Sequence, residues 1–297
     1  MQEPKSITLT CADGVTLAAS YFAPQQPTIA GVILAPATGI KRQFYFHFCC
    51  YLASKGIGVL SFDNRGIGES LVGDVSKSRA TIVQWGQLDM TAALKELQRL
   101  LPEAPHHLIG HSAGGQLVGL MDNCHQLKSV FAFASSSGSL RNMQLPFIVT
   151  AHYFMNLFIP LNNLLFGHTK SQWVGMGEPL PKGVAQQWRR FCNGRGYIKM
   201  AFGNEVKHHH FDSLKLPIQY VHASDDDIAN SANVAEMLRV FPLSNASTVT
   251  LVPAEHGLKT IGHMQFFSRQ AAALWPLASD WITKHSNDAS NHQTSAA

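Results

Sequence analysis

The sequence predicts an α/β fold with a mostly parallel sheet, and three observations support this prediction. Apolar runs of strand length alternate along the chain with segments whose apolar residues recur every three or four positions. Hydrophobic residues make up 45% of the chain and charged residues only 14%, a balance typical of a packed globular protein. The 297 residues suffice for one large domain with an insertion or for two smaller domains.

Strand and helix segments follow one another in an order that fits this fold class. The strand-like segments are 6–10, 16–22, 31–36, 58–62, 107–110, 129–134, 217–222 and 247–252. The segments with helical periodicity are 44–55, 84–101, 114–124, 232–241 and 264–284. The turn Ala12-Asp13-Gly14 joins the first two strands as a hairpin, so this edge of the sheet should be antiparallel. The other strands should be connected by helices that cover the sheet.

The alternation of strands and helices lapses between residues 139 and 214. About 75 residues separate two strands here, far more than a crossover connection needs. Aromatic side chains recur in this segment, in places at helical spacing. We therefore predict a helical cap, 139–214, inserted between two parts of one core, 1–138 and 215–285. The small polar residues of 286–297 predict a disordered tail.

Charge and composition exclude several classes of protein. The 23 basic and 19 acidic residues leave a net charge of +4 without a basic run, so we expect no nucleic-acid partner. The first ten residues lack the apolar core of a signal peptide, and Asn and Pro residues interrupt the most apolar segment, 145–167. We expect a cytoplasmic protein without stable membrane insertion. Reduced thiols are expected at the five cysteines, which lack zinc-site spacing: 11, 49, 50, 124 and 192.

One short motif points to nucleophilic chemistry. Residues 110–114, Gly-His-Ser-Ala-Gly, match G-x-S-x-G, and they stand between an apolar strand and a helix start. Gly110 and Gly114 remove side chains where such a turn is crowded, and the turn holds the Ser112 hydroxyl above the N-terminus of the following helix. This strand, turn and helix arrangement predicts Ser112 as a nucleophile.

With this motif, the sequence resembles the α/β-hydrolase superfamily over nearly the whole chain. Residues 63–70, DNRGIGES, are similar to the D-x-R-G-x-G-x-S loop that is common in that superfamily. Residues 35–39, 175–178 and 261–267 are together similar to a group of poorly characterised bacterial predicted serine hydrolases. The resemblance implies an eight-stranded, mostly parallel sheet with an inserted cap. It also implies the chain order serine, acid, histidine.

A serine hydroxyl needs a histidine to take its proton and a carboxylate to orient that histidine. The loop after strand 217–222 carries three adjacent carboxylates, which cannot all be buried and ionised together. The resemblance to G-x-D-D-P-I loops aligns Asp226 with the acid, and Asp225 and Asp227 remain alternatives. Of the histidines after the last strand, His263 matches the base position of the superfamily, and His256 remains the alternative.

The negative charge of a tetrahedral intermediate requires preorganised donors, an oxyanion hole. One donor should be the N–H of Ala113, directly after the nucleophile. The other should come from residues 35–39, where Pro36 has no N–H, so we predict Ala37, with Thr38 as the next choice. The run of histidines at 208–210 has no accompanying ligand spacing, and we expect neither a metal nor another cofactor.

These residues predict a serine hydrolase, most simply a carboxylic ester hydrolase that acts on a small-molecule acyl ester through an acyl-enzyme. A thioesterase, an amidase or an acyltransferase would use the same triad, and a non-catalytic binding protein of this fold is a further alternative. The aromatic residues of the cap favour an acyl or aromatic pocket. Four arginines of the cap would instead favour an anionic group if they face inward: Arg141, Arg189, Arg190 and Arg195.

Overall fold

The sheet predicted from the sequence is present in the computed structural model, which describes the backbone of residues 3–294 and the side chains of residues 3–287. Its strands run in the order β1-β2-β4-β3-β5-β6-β9-β10, and β7 and β8 form a separate small sheet. The strands are β1 (Lys5–Thr10), β2 (Thr16–Phe22), β3 (Ala30–Ala35), β4 (Ile57–Phe62), β5 (His106–His111), β6 (Val130–Phe133), β7 (His168–Thr169), β8 (Leu180–Pro181), β9 (Pro217–Ala223) and β10 (Asn245–Leu251).

The direction of the strands agrees with the prediction. β2 is antiparallel to both β1 and β4, and the remaining neighbours in the eight-stranded sheet are parallel. The predicted hairpin at the first edge is therefore confirmed. Every residue of the inner strands β3, β4, β5 and β6 is buried, because helices cover both faces of a parallel sheet.

Helices flank the sheet, and several of them are interrupted. The α-helices are α1 (Phe46–Ser54), α2 (Ile82–Gln84), α3 (Thr91–Leu100), α4 (Ala113–Gln116), α5 (Phe147–Tyr153), α6 (Ile159–Phe166), α7 (Lys182–Asn193), α8 (Ser231–Leu238) and α9 (Pro276–Thr294). π-Helical turns at Trp85–Met90 and Phe154–Phe158 join α2 to α3 and α5 to α6. The longer 3-10 segments are Arg42–Tyr45, Ser171–Val174, Tyr197–Ala201, Pro253–His256 and Arg269–Leu274.

Two predicted helices end earlier or begin later than the periodicity indicates. The segment 114–124 is α-helical only as far as Gln116, and a 3-10 turn, Val118–Leu120, follows. Over 264–284, 3-10 turns precede Pro276, which begins α9 because proline fits the first turn of a helix. The residues after Ser286 include neither Gly nor Pro, and α9 continues to Thr294 where we expected a disordered tail. Residues 295–297 of that tail lie outside the described residues.

Between β6 and β9 the chain leaves the sheet and forms α5, α6, α7 and the small β7-β8 sheet. We propose that this segment, 139–214, is the predicted cap, and we refer to it below as the proposed cap. Among residues 3–294, no helix has both the length and the apolar character that crossing a bilayer requires.

A buried ion pair fixes the loop that follows β4. The Arg65 guanidinium donates from Nε to Asp89 at 2.6 Å and from Nη1 to Asp13 at 2.6 Å. Asp89 is fully buried, and it also accepts the Arg65 N–H at 2.8 Å. These contacts tie together the first hairpin, the loop 63–70 and the π-helical turn Trp85–Met90.

Candidate active site

Ser112 lies in a strained turn at the carboxyl end of β5. Its φ and ψ angles are 49° and −111°, a conformation that a residue other than glycine rarely adopts. The Ser112 N–H donates to the carbonyl of Phe133 at 3.0 Å, and the Ser135 hydroxyl donates to the carbonyl of Ser112 at 2.7 Å. These contacts to β6 and the residues after it hold the strained backbone in place.

Three glycines around Ser112 allow the chain to pass through a crowded place. A Cβ at Gly110 would collide with the backbone of Gly115, and a Cβ at Gly114 would collide with the carbonyl of Ala35. A Cβ at Gly115 would collide with the Ser135 hydroxyl. The start of α4 thus packs directly on the ends of β3, β5 and β6.

The structure brings Ser112, His263 and Asp226 together. The Ser112 Oγ lies 3.0 Å from Nε2 of His263, and Nδ1 of His263 lies 2.8 Å from Oδ2 of Asp226. These contacts assign one tautomer: Nδ1–H donates to the carboxylate, and Nε2 accepts the serine hydroxyl proton. Ser112 is more than a hundred positions away from Asp226 and His263 in sequence. The three residues meet because they follow the parallel strands β5, β9 and β10, which end at the same edge of the sheet.

The environment of Asp226 keeps its carboxylate ionised. Its side chain is only 1% exposed, and burial alone would raise its pKa. His263 and the N–H groups of Ile228 and Ala229, which donate to Oδ1 at 2.9 and 2.8 Å, outweigh burial and lower the pKa of Asp226 below its ordinary value. The carboxylate is thus charged and fixed in orientation.

The alternative acids and base lie elsewhere. The Asp225 carboxylate accepts hydrogen bonds from the Thr260 hydroxyl at 2.6 Å and from the N–H groups of Ile261 and Gly262, so it fastens the loop that leads to His263. These bonds outweigh burial and lower the pKa of Asp225. Asp227 is exposed. His256 ends the 3-10 turn Pro253–His256, in an earlier part of the same loop.

The structure corrects one predicted oxyanion-hole donor. The Ala37 N–H already donates to the Tyr45 hydroxyl at 2.9 Å, so this amide is not free to receive an oxyanion. Within the described residues, the N–H groups of Thr38 and Ala113 have no protein acceptor. Thr38 also lines the cavity above Ser112, and it is the second choice that the sequence had left open.

Two buried residues that the sequence analysis did not identify, Tyr45 and His111, hold parts of this site in place by hydrogen bonds. The Tyr45 hydroxyl accepts the Ala37 N–H, and it donates its own proton to Nδ1 of His111 at 2.9 Å, because Nε2 of the neutral ring must carry the ring proton to face a carbonyl oxygen. Nε2–H of His111 then donates to the carbonyl of His263 at 2.9 Å. Burial and the neighbouring His263 lower the pKa of His111 to about 3, so the ring stays neutral. His111 was visible inside the G-x-S-x-G motif, but no local pattern pointed to Tyr45.

A segment of the proposed cap packs on the loop 36–39. The Glu178 N–H donates to the carbonyl of Gly39 at 2.8 Å, and the Glu178 carboxylate pairs with Lys41 at 3.0 Å. A Cβ at Gly177 would collide with the Gly39 carbonyl, which accounts for a glycine at this close approach. The motifs 35–39 and 175–178 are therefore neighbours in space.

A cavity of about 390 Å³ lies above Ser112 and His263. Core and proposed cap both contribute to its walls, which are mostly apolar. The larger apolar lining side chains are Ile40, Leu140, Met143, Phe147, Phe154, Met155, Val174, Met176, Trp188, Ile228 and Met264. No Asp, Glu, Lys or Arg is among the described residues that line this cavity, so none of the four arginines of the proposed cap reaches it.

The histidine run at 208–210 lies apart from this site. The His209 ring stacks on Phe202 with ring centroids 3.8 Å apart. Across the side chains of residues 3–287, no three His, Cys, Asp or Glu groups are clustered as a metal site would require.

Comparison with known proteins adds evidence on family and fold. The family model described as serine aminopeptidase, S33, matches residues 26–174, which is half of the chain. A search of curated protein sequences finds no match.

Solved structures of esterases and lipases are similar in fold. A soluble variant of monoglyceride lipase from Saccharomyces cerevisiae, in complex with a substrate analogue, matches with a TM-score of 0.67 and 15% identity over 96% of both chains. An esterase from Pyrococcus furiosus matches with a TM-score of 0.61 and 15% identity, over 95% of this chain and 91% of that chain. A thermophilic esterase from Thermogutta terrifontis matches with a TM-score of 0.57 and 16% identity, over 95% and 99%.

Proposed function

The chain belongs to the serine aminopeptidase S33 family and has the α/β-hydrolase fold, and we propose that it is a serine-dependent carboxylic ester hydrolase. The observation that carries this proposal is the hydrogen-bonded chain from Ser112 through His263 to Asp226 at the base of an apolar cavity. A buried carboxylate, a neutral imidazole and a serine hydroxyl in this order are the groups that acyl transfer to water requires.

In the proposed reaction, Ser112 Oγ attacks the carbonyl carbon of the ester while Nε2 of His263 takes the hydroxyl proton. Asp226 stabilises the imidazolium that forms, and the N–H groups of Ala113 and Thr38 donate to the oxyanion. The tetrahedral intermediate expels the alcohol, which receives its proton from His263, and leaves an acyl-enzyme on Ser112. Water then attacks the carbonyl carbon of the acyl-enzyme while His263 takes its proton. The bond to Ser112 Oγ breaks, the carboxylic acid is released, and His263 returns the proton to Ser112.

The lining of the cavity favours a neutral acyl ester over a peptide with a free amino terminus. An aminopeptidase must hold the α-ammonium group of its substrate, and burying such a charge requires a carboxylate or comparable acceptors. No Asp or Glu lines the cavity above Ser112. The apolar side chains instead match an acyl chain, which is held by the area that it removes from water.

Several finer assignments stay predictions. A thioesterase, an amidase or an acyltransferase would use the same groups and differ in the substrate or acceptor that enters. A non-catalytic binding protein of this fold would keep the cavity without turnover. The cytoplasmic location and the kinship with poorly characterised bacterial serine hydrolases also rest on the sequence alone.

Hydrolysis of p-nitrophenyl esters from acetyl to palmitoyl tests the proposal. The wild-type chain should turn over at least part of the series, and Ser112→Ala should abolish turnover while the protein stays folded. Ser224→Ala is a matched control, because Ser224 is exposed in the loop before the acid, and it should retain activity. Turnover that survives in Ser112→Ala would contradict the proposal.

Parallel assays separate the alternatives. Hydrolysis of acyl thioesters but not of oxygen esters would identify a thioesterase, and hydrolysis of aminoacyl p-nitroanilides alone would identify an aminopeptidase. Turnover that depends on an added alcohol or amine acceptor would identify an acyltransferase. Folded protein that turns over none of these substrates would contradict the enzymatic proposal as a whole.

A further inference from the structure

A second cavity, of about 450 Å³, lies outside the catalytic cavity and is lined by three arginines. Arg141 follows β6 in a 3-10 turn, Leu140–Asn142, and Arg195 follows α7. Arg239 is the C-cap residue of α8. Three distant parts of the chain thus place a guanidinium group at one cavity.

Positive charge exceeds negative charge in the lining of this cavity. Glu236 is the one acidic residue that lines it, and its carboxylate accepts hydrogen bonds from the Gly196 N–H at 2.7 Å and the Asn142 amide at 2.7 Å. Within the described side chains, no ion pair joins any of the three arginines to Asp or Glu, whereas Arg190 pairs with Glu205 at 2.5 Å. Three positive groups therefore share a cavity with one carboxylate that is already hydrogen-bonded.

We propose that this cavity, the arginine pocket, binds a small molecule that carries a phosphate or diphosphate group. Guanidinium groups bind phosphate oxygens in pairs through parallel N–H donors, and several of them at one site favour a multivalent anion. All three arginines are exposed, so an anion can reach their guanidinium groups from solvent. The cavity is larger than one phosphate group, so it leaves room for a diphosphate or for the organic part of a phosphate ester.

The position of the arginine pocket gives a bound anion a structural effect. Arg141 and Arg195 belong to the proposed cap, and Arg239 belongs to the core. The ligand would therefore bridge the proposed cap and the core. Leu140 and Tyr197, which are close in sequence to Arg141 and Arg195, line the catalytic cavity. Binding itself requires no ester hydrolysis, so this proposal is independent of the proposed function.

Calorimetric titration of the full chain with pyrophosphate tests the proposal. The wild-type protein should give a single-site isotherm whose affinity falls as salt is raised. Arg195→Gln and Arg239→Gln should each weaken binding about tenfold or more, because each removes charge-assisted contacts. Arg269→Gln removes an exposed arginine elsewhere on the surface and should leave the affinity unchanged. Far-UV circular dichroism checks that each variant is folded.

These measurements distinguish the arginine pocket from nonspecific anion binding and from a lipid-binding surface. Absence of binding at millimolar pyrophosphate and low salt, or an equal loss in Arg269→Gln, would overturn the proposal. Binding to vesicles that contain phosphatidic acid, without binding of soluble pyrophosphate, would also overturn it in favour of a lipid surface. Ser112→Ala should bind pyrophosphate as the wild type does, so failure of the esterase assay and failure of this site are distinguishable.

Discussion

Replacing Tyr45 by phenylalanine should destabilise the protein, because the lost hydroxyl holds two buried groups at once. It accepts the Ala37 N–H and donates to Nδ1 of His111, each at 2.9 Å, and neither Tyr45 nor His111 is exposed. Phenylalanine keeps the ring and leaves one donor and one acceptor unpaired. Each unpaired buried group costs about 1–3 kcal/mol, so the free energy of unfolding should fall by about 2–6 kcal/mol.

The same substitution should slow the proposed hydrolysis. The Ala37 amide anchors the loop that carries Thr38, and Nε2–H of His111 supports the backbone carbonyl of His263. Both supports act on groups proposed to contact the transition state, so kcat should fall about tenfold or more with a smaller change in KM. Urea unfolding and p-nitrophenyl ester kinetics on the same preparations measure the two effects.

Tyr51→Phe provides the matched control. The Tyr51 hydroxyl bonds the Ser279 hydroxyl at 3.1 Å in a partly buried position between α1 and α9. Its loss should cost about 1 kcal/mol or less and leave kcat unchanged. If Tyr45→Phe behaves like Tyr51→Phe in both measurements, the hydrogen-bonded chain does not support the site and the reasoning is refuted.

The acid of the proposed triad, two buried histidines and the buried ion pair each lead to a further prediction. Asp226→Asn should lower kcat/KM about a thousandfold or more, because it disturbs the tautomer of His263, while Asp227→Asn should leave kcat/KM nearly unchanged. Similar losses of kcat/KM in the two variants would mean that Asp226 is not the acid. Burial lowers the pKa of His107 and of His111 to about 3, so below the ordinary histidine pKa the unfolded chain binds protons that the folded chain does not. The free energy of unfolding should therefore fall by about 2 kcal/mol per histidine as the pH is lowered from about 7 to about 5. A free energy of unfolding, measured with urea, that does not change over this range would contradict the argument. Asp89→Ala removes the buried carboxylate that pairs with Nε of Arg65 and leaves this guanidinium only its contact with Asp13, so the free energy of unfolding should fall by about 3–5 kcal/mol. A fall in urea unfolding no larger than that of an exposed substitution would mean that the pair is not structural.

The sequence was informative wherever a local pattern carries the structural signal. Alternation and apolar runs placed the eight strands of the main sheet, because a buried strand must be apolar along its own length. The G-x-S-x-G motif located the strained turn at Ser112, because its glycines are required within the turn itself. The two-residue strands β7 and β8 were missed, since segments so short carry no periodicity.

The remaining features depend on contacts between distant residues. Nothing near Ala37 in sequence reveals that its N–H is taken by a tyrosine hydroxyl, and this contact moves the proposed oxyanion donor to Thr38. Three adjacent aspartates have the same local chemistry, so the family resemblance favoured Asp226 but left its neighbours open, and the turn that buries Asp226 separates it from them. The cap arginines were considered for the catalytic cavity, whereas the fold places Arg141 and Arg195 beside Arg239 at another.

The crowding around Ser112 affects how tolerance to mutation should be interpreted in this chain. Gly110, Gly114 and Gly115 are restricted by backbone and side-chain atoms that a Cβ would strike, whatever reaction the protein performs. In a saturation library selected only for folding, these positions should accept almost no substitution, while Ser112 itself should accept glycine because its φ is positive. Intolerance at the glycines would therefore report packing, and intolerance at Ser112 that appears only under selection for activity would report chemistry.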